Sequence, residues 1–302
     1  MSIIQFIANH VLSIYIMIFI GVCAGKAKFI NNHISLALSK ILLNICLPLY
    51  IISAFNYPLS TGIILNLGII FIFGIIIHPL CYLFGMLLYK NKEKIKKDIF
   101  TFALMFSNCG YIGFPIIGSI YGDIGIIYGS IFLAPYNIFL WTIGVSMFNK
   151  KSSNKSILNA GVIAVVIGLT LYILQIQLPH FINNSISTVG SMTTPLSMLI
   201  IGGILSEMKL KEIFKIPSIY NVSLFRLIII PLFVLGTLFL LKIDYTIIGV
   251  CVLLVAMPVA ITLPVLTQRY DSDTKLASTT VIISTLFSII TIPIIVIILK
   301  VL

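Results

Sequence analysis

Two short stretches hold the residue types that could do chemistry in this chain. One reads Phe106-Ser107-Asn108-Cys109-Gly110-Tyr111-Ile112-Gly113-Phe114-Pro115, and its last eight residues include an amide, two glycines and a proline. The other reads Met257-Pro258-Val259-Ala260-Ile261-Thr262-Leu263-Pro264, with two prolines in seven residues. Glycine loses the most backbone entropy in a helix, and proline removes a donor and clashes with the preceding turn. A helix that stops and restarts exposes the free N–H groups and positive dipole end of its second half, which suits a carboxylate. Asn108 adds an amide donor without a charge to desolvate. The candidate ligand contacts are Asn108, Cys109, Gly110, Pro258 and Val259, with Gly113, Pro115, Thr262 and Pro264 shaping the breaks. The plainer alternative is two independent proline kinks used only for packing.

Other chemistries lack their residues. All eight carboxylates (Glu93, Asp98, Asp123, Glu207, Glu212, Asp244, Asp271, Asp273) fall at the ends of apolar runs or between them. Proton or cation antiport, which normally keeps an acid in the pathway, is therefore disfavoured. His10, His33, His78 and His180 are too far apart for a local metal motif. Cys23, Cys46, Cys81, Cys109 and Cys251 lie in apolar stretches without a CxxC and read as small buried hydrophobes. No Ser-His-Asp order, acid pair or phosphate loop stands out. Neither enzymatic activity nor a metal or cofactor is expected.

The elements that must position the two stretches follow from composition. Of 302 residues, 60% are hydrophobic and 9% charged, whereas a soluble domain carries about a quarter charged residues. Apolar runs lie at about 4–25, 34–54, 63–88, 99–121, 124–148, 157–176, 185–206, 218–241, 245–268 and 274–299, each near the roughly 20 residues that cross a bilayer. The expected fold is an all-α polytopic membrane protein of ten spans with no room for a sizeable soluble domain. The first run lacks a basic leader and a small-residue cleavage site, and is expected to stay as a span.

The net charge of +11 does not indicate nucleic acid, because the lysines cluster between apolar runs without an aromatic-basic surface. Fifteen of the 19 basic residues fall in odd-numbered connections, and the even connections and termini hold only Lys242 and Lys300. The positive-inside rule then places both termini outside and the 149–156 linker in the cytoplasm.

Five spans on each side of that linker, 1–148 and 157–302, suggest an inverted repeat. Pro48 and Pro195 are offset by 147 residues, and Pro115 and Pro264 by 149. At about 1.5 Å per residue, Asn108 and Pro258 lie about 15 and 16 Å from the same membrane edge. The two breaks are therefore expected to meet and cross near the midplane, on spans 4 and 9. Asn44, Asn137 and Asn159 either line a pathway or hydrogen-bond between helices; Asn137 and Asn159 are carried as substrate-site candidates. Arg226, near the cytoplasmic end of span 8, is expected to snorkel to the interface, with a substrate-facing role as the lesser alternative. Asn66 reads as peripheral.

Asn108 to Pro115 (N-C-G-Y-I-G-F-P), the Ala256-Met257-Pro258 break, the Gln268-Arg269-Tyr270-Asp271 exit and the Arg226…Pro231 pair together resemble the auxin efflux carrier family. That family includes plant auxin exporters and bacterial permeases for malonate, malate and related acids. The resemblance covers essentially the whole chain. It implies spans 1, 2, 6 and 7 as a scaffold, spans 3–5 and 8–10 as a moving transport core, the crossover as substrate site, and a homodimer. Asn108 matches the family's crossover asparagine, implicated in binding the substrate carboxylate. Pro258 matches the crossover proline of the second half, and Asn159 resembles the asparagine of an Asn-Pro pair opening span 6. Ser107 stands where the plant branch has proline, Ala160 replaces the proline after Asn159, and the central linker is short where the plant carriers have a long loop. A small organic anion is accordingly the expected substrate rather than auxin itself.

The sequence thus reads as a secondary active or potential-driven carrier of small carboxylates, working by alternating access in the cytoplasmic membrane. Its partners would be the anion and the lipid bilayer, with no nucleic acid. The rival readings are a sodium-coupled carrier of the bile-acid type with the same fold, and a membrane sensor that binds without flux.

Overall fold

The computed structural model describes residues 3–55, 61–148, 160–206 and 217–302. The 149–156 linker, Asn159 and the lysines at 209, 211 and 215 lie outside them. Within the described residues the chain is helical, since a segment in lipid must satisfy its backbone polar groups internally. The first half holds α1 (Ile3–Lys26), α2 (Asn32–Ile41), α3 (Leu47–Ala54), α4 (Thr61–Leu88), α5 (Lys94–Met105), α6 (Phe114–Phe139) and α7 (Val145–Phe148). The second holds α8 (Ala160–Ile173), α9 (His180–Ser191), α10 (Thr193–Ser206), α11 (Pro217–Leu224), α12 (Ile230–Leu240), α13 (Tyr245–Ala256), α14 (Thr262–Arg269) and α15 (Thr274–Val301).

Six helical stretches among the described residues are long and apolar enough to cross a membrane: His33–Ala54, Gly62–Leu88, Cys109–Phe148, His180–Gly203, Pro217–Leu240 and Thr274–Val301. Shorter apolar helices run over Ile16–Lys26, Ala160–Ile173 and Tyr245–Ala256. Large side chains such as Leu65, Leu87 and Phe233 point outward, each at least 65% exposed. In water that surface would aggregate; in lipid it is the solvent-facing side. The protein is a multi-pass integral membrane protein.

Three prolines share one local device. The π-helical turns Leu42–Cys46, Cys109–Gly113 and Phe225–Ile229 each end two residues before a proline, at Pro48, Pro115 and Pro231. In each, the residue just before the proline donates its N–H five residues back: Leu47 to Leu42, Phe114 to Cys109, and Ile230 to Phe225. A proline ring clashes with the carbonyl four residues back and supplies no N–H of its own. The extra residue of a π-turn widens the ladder at that point, so the helix continues through the proline.

The 40-residue stretch Cys109–Phe148 reverses direction at Gly122, whose φ of 60° and ψ of −147° are open only to glycine. A Cβ at Gly125 would sit 2.7 Å from the Ile117 carbonyl oxygen, and one at Gly129 3.7 Å from the Phe114 ring. Those approaches require the helical segments on either side of Gly122 to lie back to back.

The densest helix contacts gather around two sets of helices, with α6 also packing on α3 and α8. α1 packs along α10, and α3 packs against α8 and α9. Gly21 allows the first of these close approaches, since a Cβ there would sit 2.6 Å from the Leu199 carbonyl oxygen. In the second group α4 packs on α5 and α6, α13 on α6 and α12, and α15 on α11 and α14. α5 is buried on all sides from Asp98 to Met105, and α13 from Ile247 to Ala256. Helices apolar all round belong at the centre of a bundle, and these two central helices are the ones that end at the breaks.

Candidate functional site

α5 stops at Met105, and Phe106 turns extended (φ −112°, ψ 112°). α13 stops at Ala256, and Met257 does the same (φ −63°, ψ 148°). The two interruptions pair with each other. Ser107 and Val259 form an antiparallel bridge, with the Asn108 N–H donating to the Pro258 carbonyl at 2.8 Å and the Ala260 N–H to the Phe106 carbonyl at 3.0 Å. Each break thus satisfies part of the other's exposed backbone, which two independent kinks would not do. Side chains complete the pairing: the Tyr136 hydroxyl donates to the Ser107 carbonyl at 3.0 Å, and the Val259 N–H donates to Ser284 Oγ at 3.1 Å. Ser107 Oγ and Cys109 Sγ lie 2.9 Å apart.

Arg226 departs from the sequence expectation. It does not snorkel; it is 2% exposed. Its Nε donates to the Met257 carbonyl at 3.1 Å and its Nη1 to the Leu104 carbonyl at 2.7 Å. The breaks leave unpaired carbonyls at the ends of both central helices, and one guanidinium spans the two ends. Burial is tolerated because those acceptors await it, and cations favour helix C-termini.

The second halves begin at Cys109 and Thr262. Asn108 caps the first: its Oδ1 accepts the Tyr111 N–H at 3.3 Å, and its carbonyl accepts from Ile112 and Gly113. Among the described residues no acceptor is paired with the N–H groups of Gly110, Ile261 and Thr262, nor with Asn108 Nδ2. Asn108 is buried, whereas Gly110, Ile261 and Thr262 are half-buried and can be approached. These unpaired donors lie at the starts of the two second half-helices, where the positive end of the helix dipole also lies.

The other candidates separate. Cys109, Pro258 and Val259 are buried within the pairing. Gly110 faces Leu43 and Leu47, whose Cδ2 atoms lie 3.6 and 3.8 Å from where its Cβ would be. Asn137 donates to the Leu133 carbonyl of its own helix at 2.8 Å, and Asn44 likewise to Lys40 at 2.8 Å. Gly113, Pro115, Thr262 and Pro264, expected to shape the breaks, lie in the first turns after them. The reason is local, since a helix's first turn needs no N–H from proline and the π-turn absorbs Pro115. Gly113 serves close packing, because a Cβ there would meet Leu254 Cδ2 at 3.0 Å. Asn66 is not idle either; its amide donates to the Tyr128 hydroxyl at 2.7 Å.

Tyr136, Ser284 and the clamp made by Arg226 are absent from the sequence reading. Their partners lie 29, 25, 31 and 122 residues away, and a lone hydroxyl or arginine in an apolar run carries no local signal of such a partner. Away from the breaks, a cavity lined by Lys92, Lys96, Lys275, Glu93 and Asp273 opens where the starts of α5, α11 and α15 converge.

Comparison with known proteins gives the family. The membrane transport protein family matches residues 6–159 and 149–296. An uncharacterized transporter of Methanocaldococcus jannaschii is 28% identical over 302 residues, covering 93% of this chain and 95% of the relative. Another, from Methanothermobacter thermautotrophicus, is 23% identical over 293 residues, covering 94% and 95%. The chain belongs to the membrane transport protein family, that of the auxin efflux carriers, and is a transporter rather than an enzyme.

Proposed function

We propose that this protein is a carrier of small organic anions, carboxylates of the malonate or malate size, that binds them at the paired breaks and moves them by alternating access. The observation that carries the reading is the set of unpaired donors on the facing half-helix starts, Gly110, Ile261, Thr262 and Asn108 Nδ2. They suit one or two carboxylate oxygens and offer a cation nothing. The carboxylates described elsewhere support it: Asp244 and Asp273 cap α13 and α15, and Glu93 pairs with Lys96 at 2.9 Å. Asp98, ten residues before Asn108, belongs to the basic end of α5.

In this reading residues 1–148 and 157–302 are two inverted five-helix repeats. The α1, α3, α8, α9 and α10 contact group is the scaffold, and the group built on α4–α6 and α11–α15 is the moving core, its broken helices crossing at the midplane. The lysine-lined cavity is the cytoplasmic mouth, where positive charge would concentrate anions. The membrane is the cytoplasmic one, with both termini outside, and the assembly is a homodimer.

The test is flux in proteoliposomes loaded with labelled malonate, malate or indole-3-acetate, with a potential imposed by potassium and valinomycin. A monovalent anion carried alone should distribute roughly fiftyfold at 100 mV, from about 2.3 kcal/mol per charge, so inside-negative potential should drive export. Flux that ignores the potential would mean electroneutral coupling. Binding without flux would make the protein a sensor, and neither binding nor flux with any carboxylate would remove the reading.

A further inference from the structure

Two broken helices that meet bring together opposite dipole ends. The starts at Cys109 and Thr262 are positive, but the ends at Met105 and Ala256 are negative and as close to the breaks. Left alone, the four ends would largely cancel, and the free carbonyls of Leu104 and Met257 would suit a metal cation as well as the free N–H groups suit an anion. Arg226 removes that ambiguity. Its guanidinium occupies both carbonyls, and no carboxylate lies within ion-pair distance of it among the described residues. A buried charge without a counter-ion is costly. Of the five N–H donors a guanidinium carries, two are engaged in these bonds, and the Met257 carbonyl that takes one is next to Pro258, whose own carbonyl takes the Asn108 N–H.

We propose that Arg226 is the built-in counter-charge of the substrate site: it fills the carbonyl positions a coupling cation would otherwise take, and its unneutralised positive charge selects an anionic ligand. Cys81, Cys109, Tyr136 and His78 are the titratable groups around it, and none is a carboxylate that could neutralise it. The substrate carboxylate completes the ion pair, so no sodium ion is needed for binding. This rests on the anion-carrier reading above and adds the residue that sets the sign of the ligand.

The experiment is thermal-shift titration of the detergent-purified full chain with potassium malonate and potassium indole-3-acetate, against the neutral malonamide and indole-3-acetamide, in sodium-free buffer. Wild type should be stabilised by a carboxylate and not by its amide. Arg226→Gln should lose at least about tenfold in carboxylate affinity, the usual scale for one charged hydrogen-bonding partner, and Arg226→Lys should retain most of it. Carboxylate binding by folded Arg226→Gln within about twofold of wild type, while Asn108→Ala loses it, would overturn the assignment of Arg226 and leave the anion-carrier reading standing. A wild type that responds to no carboxylate would overturn both. If neither arginine variant folds, wild type decides: equal affinity for sodium and potassium salts supports Arg226 in the cation's place, and a gain of about tenfold or more in sodium overturns it.

Discussion

The proposed site gives Asn108 two tasks on two different atoms, and they can be separated. Its Oδ1 caps the second half-helix by accepting the Tyr111 N–H at 3.3 Å, while its Nδ2 is the donor that the proposed site offers a ligand. Asn108→Ala removes both. Loss of an N-cap costs about 1 kcal/mol of stability, or roughly 2 °C in a chain of this size. Loss of a hydrogen bond to a charged acceptor costs about 1.5 to 3 kcal/mol, lowering affinity about tenfold to a hundredfold. Asn108→Ser keeps a capping oxygen, because serine caps about as well as asparagine, but its hydroxyl is too short to replace the amide donor. Serine should therefore restore the melting temperature and not the affinity. Asn108→Asp should bind more weakly than either, since a like charge then faces the anion. The assay is a thermal-shift titration with whichever carboxylate stabilises wild type, with Asn44→Ala as control because that exposed amide bonds to the Lys40 carbonyl of its own turn. Asn66 would be a poor control, since it holds Tyr128 across two helices. If the alanine and serine variants bind the carboxylate as tightly as wild type, the amide makes no ligand contact and the argument from the unpaired Nδ2 fails.

Two further outcomes are expected. In a cysteine-free background, a single cysteine at Ser2 should react with an impermeant thiol reagent applied from outside and one at Ser153 should not; the reverse pattern would reject the orientation inferred from the lysine distribution. Gly122→Ala should destabilise the protein by about 1 to 3 kcal/mol, the cost of forcing a Cβ into its φ and ψ. Unchanged melting would show that the hairpin between the two segments of α6 does not depend on that geometry.

The sequence by itself determined the solvent and the secondary structure of this protein. A chain with 60% hydrophobic and 9% charged residues, arranged in apolar runs of about twenty residues, satisfies its backbone in lipid as helices, and the described residues hold six helical stretches long and apolar enough to cross. The interruptions near Asn108 and Pro258 were legible for the same reason, because glycine and proline act through their own backbone and the adjacent turn. Where each interruption begins and ends was less legible. Gly113, Pro115, Thr262 and Pro264 break no helix, because the π-turn before Pro115 and the permissive first turn of α14 accommodate them. What only the tertiary structure decided is which groups answer the backbone that the breaks expose. The antiparallel pairing of Ser107 with Val259 joins residues 152 positions apart, and Arg226 closes two helix ends with acceptors 31 and 122 residues away. A hydrogen bond is satisfied by position in space, and in a bundle of packed helices that position is set by which helices lie side by side. No local pattern around Arg226 could distinguish a side chain that reaches the lipid interface from one that holds the centre of the protein together.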